Sequence, residues 1–573
     1  VTLLRSTLFL AVLVAAPCAN AQPAPEAATG RTDKAVTAAR SHMIAAAHPL
    51  AVEAGHAMLS RGGSAVDAAI AAQLVLGLVE PQSSGIGGGG FMLVHDAKRN
   101  KLVAYDGRET APAAARPERF LGPDGKPLRF LEAVIGGRSV GVPGTVALLE
   151  TVHKQHGRLP WKTLFEPAIA LADHGFIVSP RLVAMLAAQG KFDRPAAQRF
   201  FARDDGGPLR AGDVLRNVAY ARTLSRIAAE GARAFYEGDI ARDIVATVKA
   251  DANPGDLTLA DLAGYRVVVR DPVCGTYRRH RVCGMPLPSS GGPTVLQILA
   301  FLTPYNLEAM GPGSFWSTHF VAEAGRLAYA DRGLYMADPA FAPPPKGLLD
   351  PDYLRERGRA ITPYRSIGRA EAGTPPAARK VASHEGMELA STSHLSVVDR
   401  YGNAVAFTTT IENAFGSRLF TSGGFLLNNE LTDFSFVPVE SGAQVANRVE
   451  AGKRPRSSMA PTIVYDPAGR VRLVTGSPGG SAIINYVVKS VIATIDWKLD
   501  PQAAAALPNF GSRNGPTELE KGTANEELAG KLAALGHDVR VIEQTSGIHT
   551  IARMPRGWVG GADPRREGVA RGD

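Results

Sequence analysis

The chain has 573 residues, 45% hydrophobic and 20% charged, with a formal net charge of +9. That composition excludes a disordered or fibrous protein and fits a well-buried globular enzyme. Basic residues are scattered, in local runs such as Arg278-Arg279-His280-Arg281 without interleaved aromatics, so a solvated surface explains them better than a nucleic-acid site.

The N-terminus reads as a targeting segment. Arg5 precedes the apolar run Leu8 to Ala16, and Ala19-Asn20-Ala21 forms a small-x-small site before Gln22. The expectation is cleavage after Ala21 and export to the periplasm or the medium. The run is too short to span a bilayer, and Pro17 argues against a lipoprotein built on Cys18. No later stretch reads as transmembrane. Residues 22 to 40 are Ala/Pro-rich and read as a loose arm.

A helix is expected from Leu50 to Ser60, stopped by Gly62-Gly63. Ser64 caps a second, Ala65 to Val79, which is apolar on nearly every side and therefore buried. The glycines at 85 to 90 follow, then strands Phe91 to Val94 and Leu102 to Tyr105. Val142 to about Lys249 is mostly helical. Val267 to Val269 and Arg281-Val282 read as strands, and Thr294 to Leu302 and Ser317 to Tyr335 as helices. Cys274 and Cys283 flank a hairpin. Exported, they can form a disulfide, or they are two small buried residues. Two cysteines alone make no zinc site.

Pro343 to Glu385 reads as loop. Beyond it the period changes to strands: His394 to Asp399 and Asn403 to Ile411 as a hairpin, then Gly424 to Leu427, Thr462 to Tyr465 and Val471 to Thr475. Helices are expected at Ala482 to Asp496 and Ala524 to Leu535.

Three motifs compete for function. Gly85-Ile86-Gly87-Gly88-Gly89-Gly90 has the G-x-G-x-x-G spacing, but a helix precedes it and a strand follows, the reverse of a dinucleotide site. A close-packed turn is the better reading. Gly137-Arg138-Ser139-Val140-Gly141 matches a nucleophile elbow, with His394, His537 and His549 downstream, so a serine α/β-hydrolase using Ser139 stays open. The third begins at Ser391-Thr392-Ser393-His394. A chain cut before Thr392 would carry a hydroxyl nucleophile and a free amine on one residue. His394 shares its strand face and is either a base or a structural hydrogen bonder. Thr408-Thr409-Thr410 follows. Gly479-Gly480, before a helix, offers backbone N–H groups for an oxyanion. Arg108 with Ser457 and Ser458 can bind a carboxylate, and Glu430 with Asp433 an ammonium.

These segments resemble the γ-glutamyltranspeptidase (glutathione hydrolase) family of N-terminal-nucleophile hydrolases. The resemblance runs from about Ala51 to the C-terminal region. It rests on residues 62–69, 87–92, Asp106-Gly107-Arg108-Glu109, Pro288-Ser289-Ser290-Gly291-Gly292, Thr392-Ser393-His394-Leu395-Ser396, Leu426-Leu427-Asn428-Asn429-Glu430, Arg456-Ser457-Ser458-Met459 and Gly476-Ser477-Pro478-Gly479-Gly480. It implies an α+β fold, a four-layer αββα sandwich, made as one inactive chain. It also implies autocatalytic cleavage between Ser391 and Thr392 into a large subunit (22–391) and a small one (392–573) that share the fold. Thr410 matches the partner of the nucleophile, Gly479 and Gly480 the oxyanion pocket, Arg108, Ser457 and Ser458 the carboxylate clamp, and Glu430 and Asp433 the ammonium binders. The implied donor is glutathione or another γ-glutamyl compound and the acceptor water or an amine, with no cofactor, metal, nucleic acid or membrane span.

Two departures stand out. Glu412 occupies a position where the family commonly has Asn, and a third carboxylate there crowds like charges. Donor preference could then shift toward another acyl group, as in a cephalosporin acylase. Phe434 to Lys453 is shorter than the lid of the best-known bacterial members and contains no tyrosine, which favours hydrolysis over transfer.

Overall fold

The computed structural model describes residues 29–190, 192–379, 381–382 and 391–573. The expected export segment, 1–21, lies outside the described residues. Among the described residues no helix is long and apolar enough to cross a membrane.

Two seven-stranded sheets lie at the centre. Their strands in chain order begin with β1 (Thr37–Ala39), β2 (Met43–Ala46), β3 (Gly89–Asp96), β4 (Lys101–Gly107), β5 (Val268–Arg270), β6 (Val273–Tyr277) and β7 (His280–Gly284). They continue with β8 (Thr392–Val398), β9 (Ala404–Thr410), β10 (Thr462–Tyr465), β11 (Val471–Gly476), β12 (His549–Met554), β13 (Gly557–Ala562) and β14 (Val569–Gly572). The first sheet runs β14-β2-β8-β9-β3-β4-β5 and the second β1-β13-β12-β11-β10-β7-β6. All their pairings are antiparallel.

Helices α1 (Pro49–Ser60) and α2 (Ala65–Val79) cover the outer face of the first sheet, and α3 (Gly291–Leu302), α4 (Phe315–Tyr335) and α5 (Ile483–Ile495) cover the second. This is the four-layer αββα arrangement. The strand period of two sorts the side chains. Ile44, Met92, Val94, Val405 and Phe407 join the core under α1 and α2. Their neighbours Met43, Phe91, Leu93, Ala404 and Ala406 join the core of the second sheet.

α2 forms as its sequence dictates. Ser64 and Asp67 make a reciprocal capping box, and all but one of its residues are buried. The glycines that follow are a close-packed turn. A Cβ at Gly88 would run into the carbonyl oxygen of Thr410, and one at Gly87 into that of Leu426.

Several expectations change. Thr37–Ala39 is a strand in the second sheet, so the arm is partly structured. Residues Pro351–Gly358 form a helix inside the stretch read as loop. Gly424 to Leu427 makes only an isolated bridge, Phe420 to Leu426. The helix expected at Ala524 to Leu535 is a 3-10 turn followed by Ala529–Ala534. β12, β13 and β14 were not expected, because their Gly- and Arg-rich segments lack a clean alternation. Cys274 and Cys283 are opposed in the β6–β7 hairpin and joined by a disulfide.

Candidate active site

Thr392 opens β8 and lies directly opposite Thr410, the last residue of β9. That register makes the two side chains neighbours on one face. The Thr392 hydroxyl donates to Thr410 Oγ1 at 3.2 Å, and the Thr410 hydroxyl donates to the carbonyl oxygen of Ser391 at 2.8 Å. The backbone N–H of Glu412 also donates to Thr410 Oγ1, at 2.8 Å. A hydroxyl chain therefore joins the side chain of Thr392 to the carbonyl of the preceding peptide bond. Ser391 is held on its other side, its hydroxyl donating to Gln82 O at 2.6 Å and its N–H to Glu412 O at 2.8 Å.

One pocket gathers Arg108, Thr392, Thr410, Glu412, Glu430, Asp433, Ser457, Ser458 and Gly480 from across the sequence. Arg108 leaves the end of β4, its N–H on Asp106 and its carbonyl taken by the Tyr265 hydroxyl. Glu430 and Asp433 share a 3-10 turn, Glu430–Asp433, entered through Asn428. Asn428 accepts from the N–H groups of Gly141 and Glu430 and donates to the carbonyls of Gly87 and Gly141. Ser457 pairs with Ser289, which brings two distant serine motifs together. Ser458 receives a hydrogen bond from Arg332 at 2.6 Å.

The residues expected as carboxylate and ammonium clamps are not separate. The Arg108 guanidinium is ion-paired to both Glu430 and Asp433 and also donates to the carbonyls of Pro455 and Arg456. The pairing leaves a cleft of only about 20 Å³. Burial opposes the charge of Arg108, but the adjacent carboxylates Glu430 and Asp433 hold its pKa above the ordinary range. Burial also raises Glu430, with Arg108 opposing. Glu412 is pushed well above the carboxylate range by burial and by the charges of Asp433 and Glu430, and it accepts a hydrogen bond from Asn429.

Gly479 and Gly480 turn the chain between β11 and α5 with φ of 137° and 54°, values that favour glycine. Ser481 fixes this turn, its carbonyl taken by Tyr329 and its hydroxyl by Arg513 at 2.9 Å. Gly480 lines the pocket, and Gly479 packs on Tyr486 behind it.

The competing motifs find other roles. Ser139 is fully buried in a 3-10 turn, not a strand-to-helix elbow, and its hydroxyl donates to Val134 O and Gly136 O. The serine-hydrolase alternative is therefore withdrawn: that hydroxyl is spent on the backbone, and it bonds to none of the described histidines. His394 lies between the sheets, bonded to Thr408 Oγ1 at 2.8 Å and Ser396 Oγ at 3.1 Å, and burial pushes its pKa down to about 3. It is the structural hydrogen bonder of the two readings. His319, Glu323 and His537 cluster elsewhere. If His319 Nε2 donates to Thr362 O, its Nδ1 accepts from His537 Nε2, whose Nδ1 accepts from Thr517. Those bonds use the lone pairs a metal ion would need.

Sequence reasoning missed Arg332, Asn428, Glu109 and Arg566. Arg566 donates to the carbonyl of Thr392 at 3.4 Å. Asn428 and Glu109 sit inside the motifs singled out. Arg332 in α4 and Arg566 near the C-terminus carry no local signal.

Residues 51–572 match the family model described as gamma-glutamyltranspeptidase. The chain belongs to the γ-glutamyltranspeptidase family. It is 37% identical to the glutathione hydrolase proenzyme of Bacillus subtilis (strain 168), over 94% of this chain and 92% of that one. It is likewise 37% identical to the glutathione hydrolase proenzyme of Escherichia coli (strain K12), over 97% of each. Among solved structures, a cephalosporin acylase from Bacillus halodurans superposes with a TM-score of 0.83 at 28% identity, covering 96% of this chain and 99% of that one. The family supplies the enzyme class, and the pocket supplies the chemistry to be assigned.

Proposed function

We propose that this γ-glutamyltranspeptidase-family enzyme is an exported, self-cleaving γ-glutamyl hydrolase and transferase acting on glutathione and related γ-glutamyl compounds. The observation that carries the proposal is the hydroxyl chain from Thr392 through Thr410 to the Ser391 carbonyl, set at the edge of an Arg108–Glu430–Asp433 ion cluster.

In maturation, Thr392 Oγ1 attacks the carbonyl carbon of Ser391. Thr410 takes the hydroxyl proton and gives its own to the developing oxyanion. The C–N bond breaks as the proton on that oxygen passes to the nitrogen, which leaves as an amine while the carbonyl reforms, and water hydrolyses the ester joining Ser391 to Thr392 Oγ1. The freed α-amine has a reference pKa of about 7.7 and serves as base at neutral pH. It takes the Thr392 proton when the hydroxyl attacks the γ-carbonyl of the donor and returns it to the leaving amine. The N–H groups at Gly479 and Gly480 stabilise the oxyanion. Water or an amine then releases the glutamyl group.

The ion cluster selects the donor. An α-amino acid head carries both charges on one carbon, so its carboxylate takes Arg108, Ser457 and Ser458 while its ammonium takes Glu430 and Asp433. One buried set of ion pairs is exchanged for another. A donor lacking the amine leaves buried carboxylates unpaired, a loss of about 3–5 kcal/mol.

The similarity to a cephalosporin acylase favours a second reading, in which the donor is a glutaryl amide. The two diverge in one assay. N-terminal sequencing of the purified protein should give a fragment starting at Thr392, and Thr392→Ala should remain one chain. Gamma-glutamyl anilide should then exceed glutaryl anilide by roughly 10²–10⁴-fold in kcat/KM, the ratio that the cost of about 3–5 kcal/mol for an unpaired buried charge sets. Equal rates would reject the γ-glutamyl reading, and an uncut, active protein would reject both.

A further inference from the structure

The reaction above gives no task to Glu109. This residue follows Arg108 at the end of β4 and is fully buried. Its side chain sits in a niche walled by two glycines. A Cβ at Gly89 would lie 2.5 Å from Glu109 Oε2, and one at Gly141 would lie 2.9 Å from Glu109 Cβ. Asn428 fixes the niche by bonding both backbone groups of Gly141, and the same side chain accepts the N–H of Glu430. Glu109 and Glu430 thereby face the same guanidinium nitrogen, Arg108 Nη1, from two sides.

No side-chain donor from the described residues meets either oxygen of Glu109 or the Oε2 of Glu430 in hydrogen-bond geometry. Arg108 Nη1 stands 3.9 Å from Glu109 Oε2 and is committed to Glu430 Oε1. Two buried carboxylates facing one guanidinium nitrogen repel each other, and a shared proton turns that repulsion into a hydrogen bond. The guanidinium decides which group keeps the negative charge: it pairs with Glu430, so the proton stays on Glu109. Burial and the charge of Glu430 both push Glu109 well above the carboxylate range. Arg108, Asp433 and Glu412 are the other charged groups around the pair, with the phenols of Tyr236 and Tyr265 beyond.

We propose that Glu109 is a positioning residue of the donor pocket, whose carboxyl O–H donates to Glu430 Oε2 and holds that carboxylate toward the substrate ammonium. The inference rests on the pocket reading above. When Arg108 turns to the donor carboxylate, Glu430 loses one partner. Glu109 keeps the other, so Glu430 does not swing away or take a proton itself. An ionised Glu109 could not do this, and an amide could.

Glu109→Gln and Glu109→Ala test it with γ-glutamyl anilide, both checked for cleavage at Thr392 and for Tm. Gln retains the donated hydrogen, so KM stays within about threefold of wild type. Ala removes a hydrogen bond to a charged group, so KM rises about 10- to 100-fold while kcat holds within about threefold. In the infrared, wild type minus Gln shows a protonated-carboxyl band. Where Ala does not fold, that band and the Gln kinetics decide. An unchanged KM in Ala, a Gln variant as impaired as Ala, or a missing band overturns the proposal. Wild-type enzyme inert toward γ-glutamyl anilide overturns the pocket reading instead, which keeps the two failures apart.

Discussion

At the scale of residues, the site depends on hydroxyls and backbone groups more than on histidine. Thr410 is the clearest case. It accepts from Thr392 and Glu412 and donates to the Ser391 carbonyl, so among the described residues it is the only group bonded to both the Thr392 hydroxyl and the Ser391 carbonyl oxygen. Thr410→Ala should slow conversion of precursor to subunits by roughly 10²–10³-fold, the effect of losing one oxyanion donor. Thr410→Ser should retain most of the rate. Precursor half-life on a denaturing gel measures both, and rapid maturation of the Ala variant would remove Thr410 from the mechanism. The sequence made Thr392 and Thr410 legible as a pair only through the family motifs. A run of β-branched residues reads by itself as strand. Glu109 was quoted in a motif and left without a role, because its meaning comes from Glu430, 321 positions away.

At the scale of elements, the glycine turn before β3 acts on the site from beneath. Gly88 packs on the carbonyl of Thr410, and its own N–H and carbonyl are both used in neighbouring turns. Gly88→Ala forces the end of β9 away from Ser391. The expected outcome is a loss of about 1–3 kcal/mol of stability, typical of overpacking, with slow or absent maturation. Normal maturation with unchanged Tm would show that the turn yields freely. The β6–β7 hairpin is different, since β6 is an edge strand remote from the pocket. Its disulfide closes a short loop of sequence separation 9. Replacing both cysteines by serine should cost at most about 3 kcal/mol by loop-closure arithmetic and leave maturation intact; chemical denaturation checks the first and the gel the second. The hairpin and α2 were readable because turn residues and caps are local signals. The strands after Val539 were not, because pairing through glycine- and arginine-rich segments depends on neighbours supplied by β1, β2 and β11.

At the scale of the whole molecule, segments before and after Thr392 are interleaved in both sheets, so a cut there leaves one fold. Lys34 on the N-terminal arm donates to the carbonyls of Asp563, Arg566 and Gly568. His319 and Thr362 on one side meet His537 and Thr517 on the other. Buried histidines set the response to acid. Burial pushes His394 down to about 3 and His48 and His537 down to about 4. The unfolded chain takes up these protons first, near pH 6.5, so their contribution is fully present above that value and is lost as pH falls toward 4. Calorimetry of the mature enzyme should show Tm falling steadily across this window. A Tm flat from pH 7 to about 4.5 would contradict neutral, buried histidines.

The sequence by itself determined the class of fold, the helix pair under the first sheet, the β8–β9 hairpin and the candidate residues, because caps, periodicity and family motifs are written in adjacent positions. It could not decide between the readings of Ser139, His394 and the two cysteines, nor find the roles of Arg332, Glu109 or Arg566. Those depend on which buried group faces which, and only the tertiary structure brings Arg108 onto Glu430 and Asp433, turns the Ser139 hydroxyl into the backbone, and sets Thr410 between the Thr392 hydroxyl and the Ser391 carbonyl.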